Sequence, residues 1–302
     1  MGMSRIDEAF RRAAGHGPSP EAPPGGADTP EAPAVFEPAW PLPATTPADP
    51  PAVAAADDLP GQPGTLAAFR GFSPAMVERL ALPTNERFGL VEQFRKLAAT
   101  LHHTQTDRGI KSVMVTSAVA GEGKTLTATN LALTLSESYK RRVLLVDADL
   151  RRPTLHGVFQ LPNLSGLSDG LQAAREQRLS LVEVSPFLTV LTAGRPDPDP
   201  MHLLISKRMQ QVLDEAGARF DWVILDTPPV GILTDANLLA AMIDAALLVV
   251  RAGRTPYLYV QRATEAIGRE RILGVVLNGA DSLHEGDDDY GYRYYGYHQR
   301  SR

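Results

Sequence analysis

Cysteine is absent from this 302-residue chain, which excludes disulfides and thiolate chemistry and accords with a reducing compartment. Long apolar runs are missing too. The longest candidate, Leu238 to Val250, is too short to span a bilayer and carries Asp244. The opening MGMSRIDEAFRRAAGHG has no apolar signal core, so a cytoplasmic location is expected. Positive charge is not in excess either: the formal net charge is -5. The first 64 residues hold nine acidic against three basic groups, leaving the remainder close to neutral. A nucleic-acid-binding surface is therefore not expected.

What is present is unevenly distributed. Fourteen of the 25 prolines fall within the first 64 residues, among Ala, Gly and acidic side chains. Such a segment buries too little apolar surface to offset its ordering entropy. The expected organisation is a disordered region over 1–80, a single domain over 81–283 and a tail over 284–302. The Pro-rich region reads as a spacer or as a docking segment.

From Leu82 onward, short apolar runs alternate with helical periodicity. RFGLVEQFRKLAATLHHT spaces Leu90, Phe94, Leu97 and Leu101 by three and four, as an amphipathic helix does. Strands are expected at 112–117, 142–147, 188–193, 222–226, 245–250 and 272–278, most of them near-continuous Val/Ile/Leu runs of the kind covered on both faces. Crossover helices are expected at 126–138, 201–216 and 257–269. This alternation predicts an α/β doubly wound, mostly parallel sheet with ligands at the carboxyl ends of its strands.

SAVAGEGKTLTATNLA, Ser117 to Ala132, follows the first strand and opens a helix. It fits the Gly-rich phosphate loop, with Ala118 in place of the first glycine. Gly121 and Gly123 let the backbone aim N–H groups at phosphate oxygens, assisted by the helix terminus. The expected nucleotide contacts are Ala120, Gly121, Glu122, Gly123, Lys124, Thr125 and Leu126. Lys124 reaches the β and γ phosphates, and the Thr125 hydroxyl joins the shell of Mg²⁺. A Gly-rich turn without a ligand is the bland alternative.

Two further strand ends carry acids: Asp147 and Asp149 in LLVDADLRRP, and Asp226 in VILDTPPVG. In a parallel sheet these converge on the edge that holds the loop. One such carboxylate is as often a cap or turn former as a functional group, but three at a phosphate edge suit metal and proton chemistry. Asp226 is expected to hold a metal-bound water with Asp147 near the metal, and Asp149 to orient or deprotonate an incoming hydroxyl.

The chain ends in DDDYGYRYYGYHQRSR, which gathers five of the eight tyrosines: Tyr290, Tyr292, Tyr294, Tyr295 and Tyr297. With AVAGEGKT, LLVDADLR and VILDTPP, this tail resembles the bacterial tyrosine kinases of capsule and exopolysaccharide synthesis, over about residues 85 to 297. The resemblance implies a P-loop NTPase-like fold, ATP as donor and Mg²⁺ as cofactor. It also implies phosphorylation of the five tail tyrosines between subunits, and Asn278 as the residue reading the nucleotide base; Asn278 is otherwise a turn former after a strand. Lacking a membrane span, the chain is expected to be a separate kinase, peripheral at the inner membrane through an activator of the polysaccharide co-polymerase type supplied in trans.

One departure concerns assembly. The resemblance implies an oligomerisation signature of Glu and two Arg at three-residue steps, and here Glu92 and Arg95 are followed by Ala98. Placed on one helix face, the three would lose one guanidinium from the subunit contact. Two other readings share the motifs: an ATPase switch of the partitioning and division-site type, and a nucleotide-dependent scaffold with an adhesive tail. The first places a lysine early in the loop, where this chain has Val119. The scaffold leaves the intact Lys124 and Thr125 unexplained.

Overall fold

The computed structural model describes residues 69–82, 88–173, 179–230 and 235–280. Seven strands form one sheet: β1 (Ser112–Ser117), β2 (Val143–Asp147), β3 (Leu181–Ser185), β4 (Leu188–Leu191), β5 (Trp222–Asp226), β6 (Ala245–Arg251) and β7 (Ile272–Asn278). Their order is β3-β4-β2-β5-β1-β6-β7. All neighbours are parallel except β3 and β4.

Strands β1, β2 and β5 are buried almost throughout, because helices cover both faces. Alternate residues of the same strands enter opposite layers. Val113, Val115, Val143, Leu145 and Ile224 pack with α1 (Pro74–Val77), α2 (Phe88–Arg108), α3 (Lys124–Leu133) and α4 (Leu155–Val158) or the segments beside them. Met114, Leu144, Val146, Val223 and Leu225 pack with α5 (Leu167–Gln172), α6 (Met201–Leu204), α7 (Lys207–Arg219), α8 (Asp235–Ala240) and α9 (Tyr257–Ile267).

The direction of the crossovers reverses at the centre of the sheet. After β1 the chain crosses outward to β2, whereas after β5 it crosses to β6 on the other side. Ligand crevices form where adjacent connections diverge in this way. The carboxyl ends of β1, β2 and β5 are thus the place to look for chemistry.

Three details depart from the expected elements. The antiparallel edge strand β3 had no counterpart in the sequence reading, since LVEVS is short and only partly buried. The helix expected at 201–216 is two helices, split where the Ser206 side chain accepts from the Met209 amide and caps α7. Helix α3 begins at Lys124 and continues as a π-helical turn over Thr134–Ser138.

Packing also begins before the expected boundary at residue 81. Leu80 is fully buried, and the Phe69, Phe72 and Phe159 rings meet edge-on or tilted at 5.1–6.1 Å. The Ser73 amide donates to Val158 O (2.9 Å), and buried Asn130 binds both Ala81 N and Arg79 O. Residues 69–80 therefore belong to the folded unit; the rest of the expected N-terminal region, residues 1–68, lies outside the described residues.

Ala98 does not share the helix face of Glu92 and Arg95, contrary to the expectation of one common face. It is 0% exposed, beside Leu101 and Leu97 in the core, because it follows Phe94 by four and precedes Leu101 by three on the apolar stripe. Glu92 and Arg95 stay on the surface and pair with each other at 3.8 Å. A guanidinium at position 98 would have no room on this face.

Candidate functional site

The phosphate loop joins β1 to α3, with Gly123 in the left-handed region (φ 97°) as the residue before the helix. Ala120 and Gly121 are exposed, whereas the Leu126 side chain turns into the core beside α3, so any nucleotide contact it makes is through its backbone. Lys124 lies over the strand ends and pairs with Asp149, Nζ to Oδ2 3.2 Å.

Glu122 behaves unlike a ligand-facing residue. Its side chain is buried and accepts from the Val119 amide (2.8 Å), the Arg251 amide (3.2 Å) and the Thr255 hydroxyl. Its carbonyl accepts from Asn278 Nδ2 at 2.7 Å. One residue thus ties the loop to the ends of β6 and β7. The expected contact of Glu122 with nucleotide is confined to its backbone, and Asn278 stands against the loop with its amide nitrogen already engaged. A glutamate inside a Gly-rich loop carries no spacing signal that could have revealed this.

The three acids do converge, each in a different state. Asp147 and Asp226 are register partners on β2 and β5. Asp147 Oδ2 accepts from the Thr154 and Leu155 amides, both at 2.9 Å. Asp149 accepts from the Arg152 amide (3.1 Å) besides pairing with Lys124. Asp226 is fully buried, and neither carboxylate oxygen has a hydrogen-bond partner.

Burial first, and then the facing Asp226 charge, raises the Asp147 carboxyl well above the usual range, against the two amide hydrogen bonds. Burial likewise raises Asp226, while the Lys124 ammonium holds it down. The nearby Thr125 hydroxyl is bonded to Thr154 Oγ1 at 2.9 Å. Thr154 was missed by sequence reading; a threonine seven residues past a motif acid gives no signal until the loop folds back.

Around these groups the segment after β5 closes the edge: Val230 N donates to Ser117 O (2.9 Å), and the Thr116 hydroxyl to Pro228 O (2.8 Å). The remaining predicted residues, Tyr290, Tyr292, Tyr294, Tyr295 and Tyr297, lie outside the described residues. Among the described residues no helix is long and apolar enough to cross a membrane.

A doubly wound sheet with a loop, a lysine and strand-end acids at its switch point is a P-loop nucleotide-binding domain, and the CobQ/CobB/MinD/ParA nucleotide binding domain profile matches residues 113–289. The chain is 40% identical over 206 residues to tyrosine-protein kinase YwqD of Bacillus subtilis, covering 67% of this chain and 85% of that one. Among solved structures, the kinase domain of the Escherichia coli tyrosine kinase ETK is 33% identical with a TM-score of 0.58, covering 63% of this chain and 75% of that one. The chimerical protein CapA2B2 is 30% identical with a TM-score of 0.61, covering 70% and 92%. The chain belongs to the bacterial tyrosine-protein kinases. The ATPase-switch reading is the weaker one.

Proposed function

We propose that this kinase uses ATP to phosphorylate Tyr290, Tyr292, Tyr294, Tyr295 and Tyr297 of a neighbouring copy, and so regulates capsule or exopolysaccharide synthesis and export. The observation that carries this reading is the Lys124–Asp149 pair beside the unpartnered Asp226 carboxylate. Lys124 would exchange Asp149 for the β and γ phosphates, freeing Asp149 to accept a proton. The tyrosine oxygen then bonds to the γ phosphorus, the bond to the β–γ bridging oxygen breaks, ADP leaves, and the phenolic proton passes to Asp149.

The buried, orphaned oxygens of Asp226 and the adjacent Thr125 hydroxyl suit a hard cation that keeps several waters. When bound, Mg²⁺ would neutralise charge on the phosphates; Thr125 would hold it, with Asp226 and Asp147 acting on its waters. The chain is assigned to the cytoplasmic face of the inner membrane, switched on by a membrane activator in trans.

Purified full-length chain, incubated with ATP and Mg²⁺ with and without a candidate membrane partner, is expected to gain phosphoryl mass on the peptide holding Tyr290 to Tyr297. Lys124→Met should reduce this by on the order of 10²–10³-fold, as for loss of a charge-stabilising donor. Free phosphate without phosphotyrosine would instead support the ATPase switch.

The raised carboxyls predict a second result. Between the ordinary carboxylate range and about 8, the value to which Asp147 is pushed, the folded chain binds more protons than the unfolded chain. Metal-free stability should therefore fall as pH rises through that window. Melting at pH 5, 6.5 and 8 should show this slope, and Mg²⁺ with nucleotide should flatten it. A slope identical in Asp147→Asn would refute the assignment.

A further inference from the structure

Three large side chains in a row, Tyr257, Leu258 and Tyr259, are 42%, 51% and 43% exposed on the first turn of α9. The other exposed large apolar residues among those described, such as Val77, Leu164, Met201 and Ile205, are separate along the chain. Arg254 and Arg262 flank the run, both exposed. Neither guanidinium has an ion pair or hydrogen bond among the described residues. The nearest acid along the helix, Glu265, accepts from Gln261 (3.0 Å).

The place of this surface matters as much as its chemistry. Helix α9 follows β6 at the edge where the phosphate loop lies. Thr255, two residues before the helix, donates to Glu122 inside that loop, and so does the Arg251 amide. A peptide seated on the first turn of α9 would lie at the sheet edge that holds the phosphate loop.

From this we infer that the first turn of α9, with Arg254 and Arg262, is the docking surface for the segment Asp287–Tyr297 of a second copy of the chain. The inference deepens the proposed function and rests on its reading of the tail as substrate. Asp287, Asp288 and Asp289 supply the charge complement to two arginines, and the tyrosines that follow supply rings to stack on guanidinium, Tyr and Leu surfaces. Docking the acids on α9 leaves the following tyrosines to enter the site in turn. The chain's own tail is the rival occupant, because β7 ends beside β6, where the Ala252 amide donates to Asn278 O (2.9 Å), and the titration below tells the two apart.

The test is binding, measured without ATP so that it stands apart from kinase activity. A fluorescent peptide of residues 284–298 is titrated with full-length chain and followed by anisotropy. Saturable binding is expected, weakened at least about tenfold in the chain variant Arg254→Gln/Leu258→Ser/Tyr259→Ser, and likewise when the peptide carries Asn at 287, 288 and 289. Raised salt should weaken it too. The altered peptide tests the charge requirement without touching the fold, and nucleotide binding by the chain variant reports that its site is intact. Equal binding by variant and wild-type chains would overturn the inference. So would peptide binding that emerges only when the chain's own Asp287–Asp289 are replaced by Asn, since the surface would then be filled by its own tail. Absence of tail phosphate with binding retained would overturn the kinase reading of the tail and leave the surface assigned.

Discussion

Asp226→Asn is expected to lower phosphotyrosine formation by at least about 10²-fold and, in the same protein, to raise the melting temperature of the nucleotide-free chain. Both effects come from one carboxylate. Asp226 lies fully buried opposite Asp147, with both oxygens unpartnered, and burial pushes its carboxyl up to about 6. Above that pH the folded chain holds a charge that it solvates poorly. Against an ordinary carboxylate near 3.8, the shift corresponds to on the order of 2–3 kcal/mol. Asparagine keeps the shape, removes the charge and offers an N–H towards Asp147.

The sign can be checked with pH. Because the folded value is raised, the penalty is small near pH 4, grows as pH rises, and is complete above about 6. The stabilisation by Asn should therefore be near zero at pH 4 and largest at pH 8. Calorimetry at the two pH values, beside a phosphotyrosine assay, decides it: equal melting temperatures at pH 8, or retained activity, would remove Asp226 from its assigned place.

Gly123→Ala is expected to weaken nucleotide binding at least about tenfold and to destabilise the chain by about 1–3 kcal/mol. Gly123 has φ 97°, which L side chains rarely adopt. An added Cβ would also fall on the Asn278 amide nitrogen, so Asn278 must leave the Glu122 carbonyl that it holds at 2.7 Å. The loop would then lose its tie to β7. The double variant Gly123→Ala/Asn278→Ala separates the two costs: it should be less destabilised than the sum of the singles, since the collision exists only once. Additive losses, measured by denaturant titration, would show that Asn278 is not what the new methyl group meets.

How much of this was written in the sequence depends on the kind of information. Buried parallel strands announce themselves, and VLLVD and WVILD became β2 and β5 nearly residue for residue. The convergence of Lys124, Asp149, Asp147 and Asp226 followed from parallel topology alone. Strand β3 was not legible, because an antiparallel edge strand exposing Glu183 has neither a continuous apolar run nor clean alternation. Ala98 was legible, since the same three- and four-residue spacing that identified α2 also places it on the buried stripe; the signature implied by the resemblance grouped it instead with exposed Glu92 and Arg95. The roles of Glu122 and Thr154 were not, because both depend on partners far away in the chain: Thr255 at 133 residues' separation and Thr125 at 29.

The attachment of the segment beginning at Phe69 has a mechanical consequence. Ser73 N is bonded to Val158 O at the end of α4, Gln160 Nε2 to Phe72 O, and the Phe69 and Phe72 rings press on Phe159. At its other end, only a single turn away, α4 presents the Thr154 and Leu155 amides that grip Asp147. Tension on the chain ahead of Phe69 therefore enters the molecule through a lever four residues long, whose far arm is the carboxylate cradle. The acid at the site and the chain at Phe69 are thereby coupled mechanically across a single helical turn.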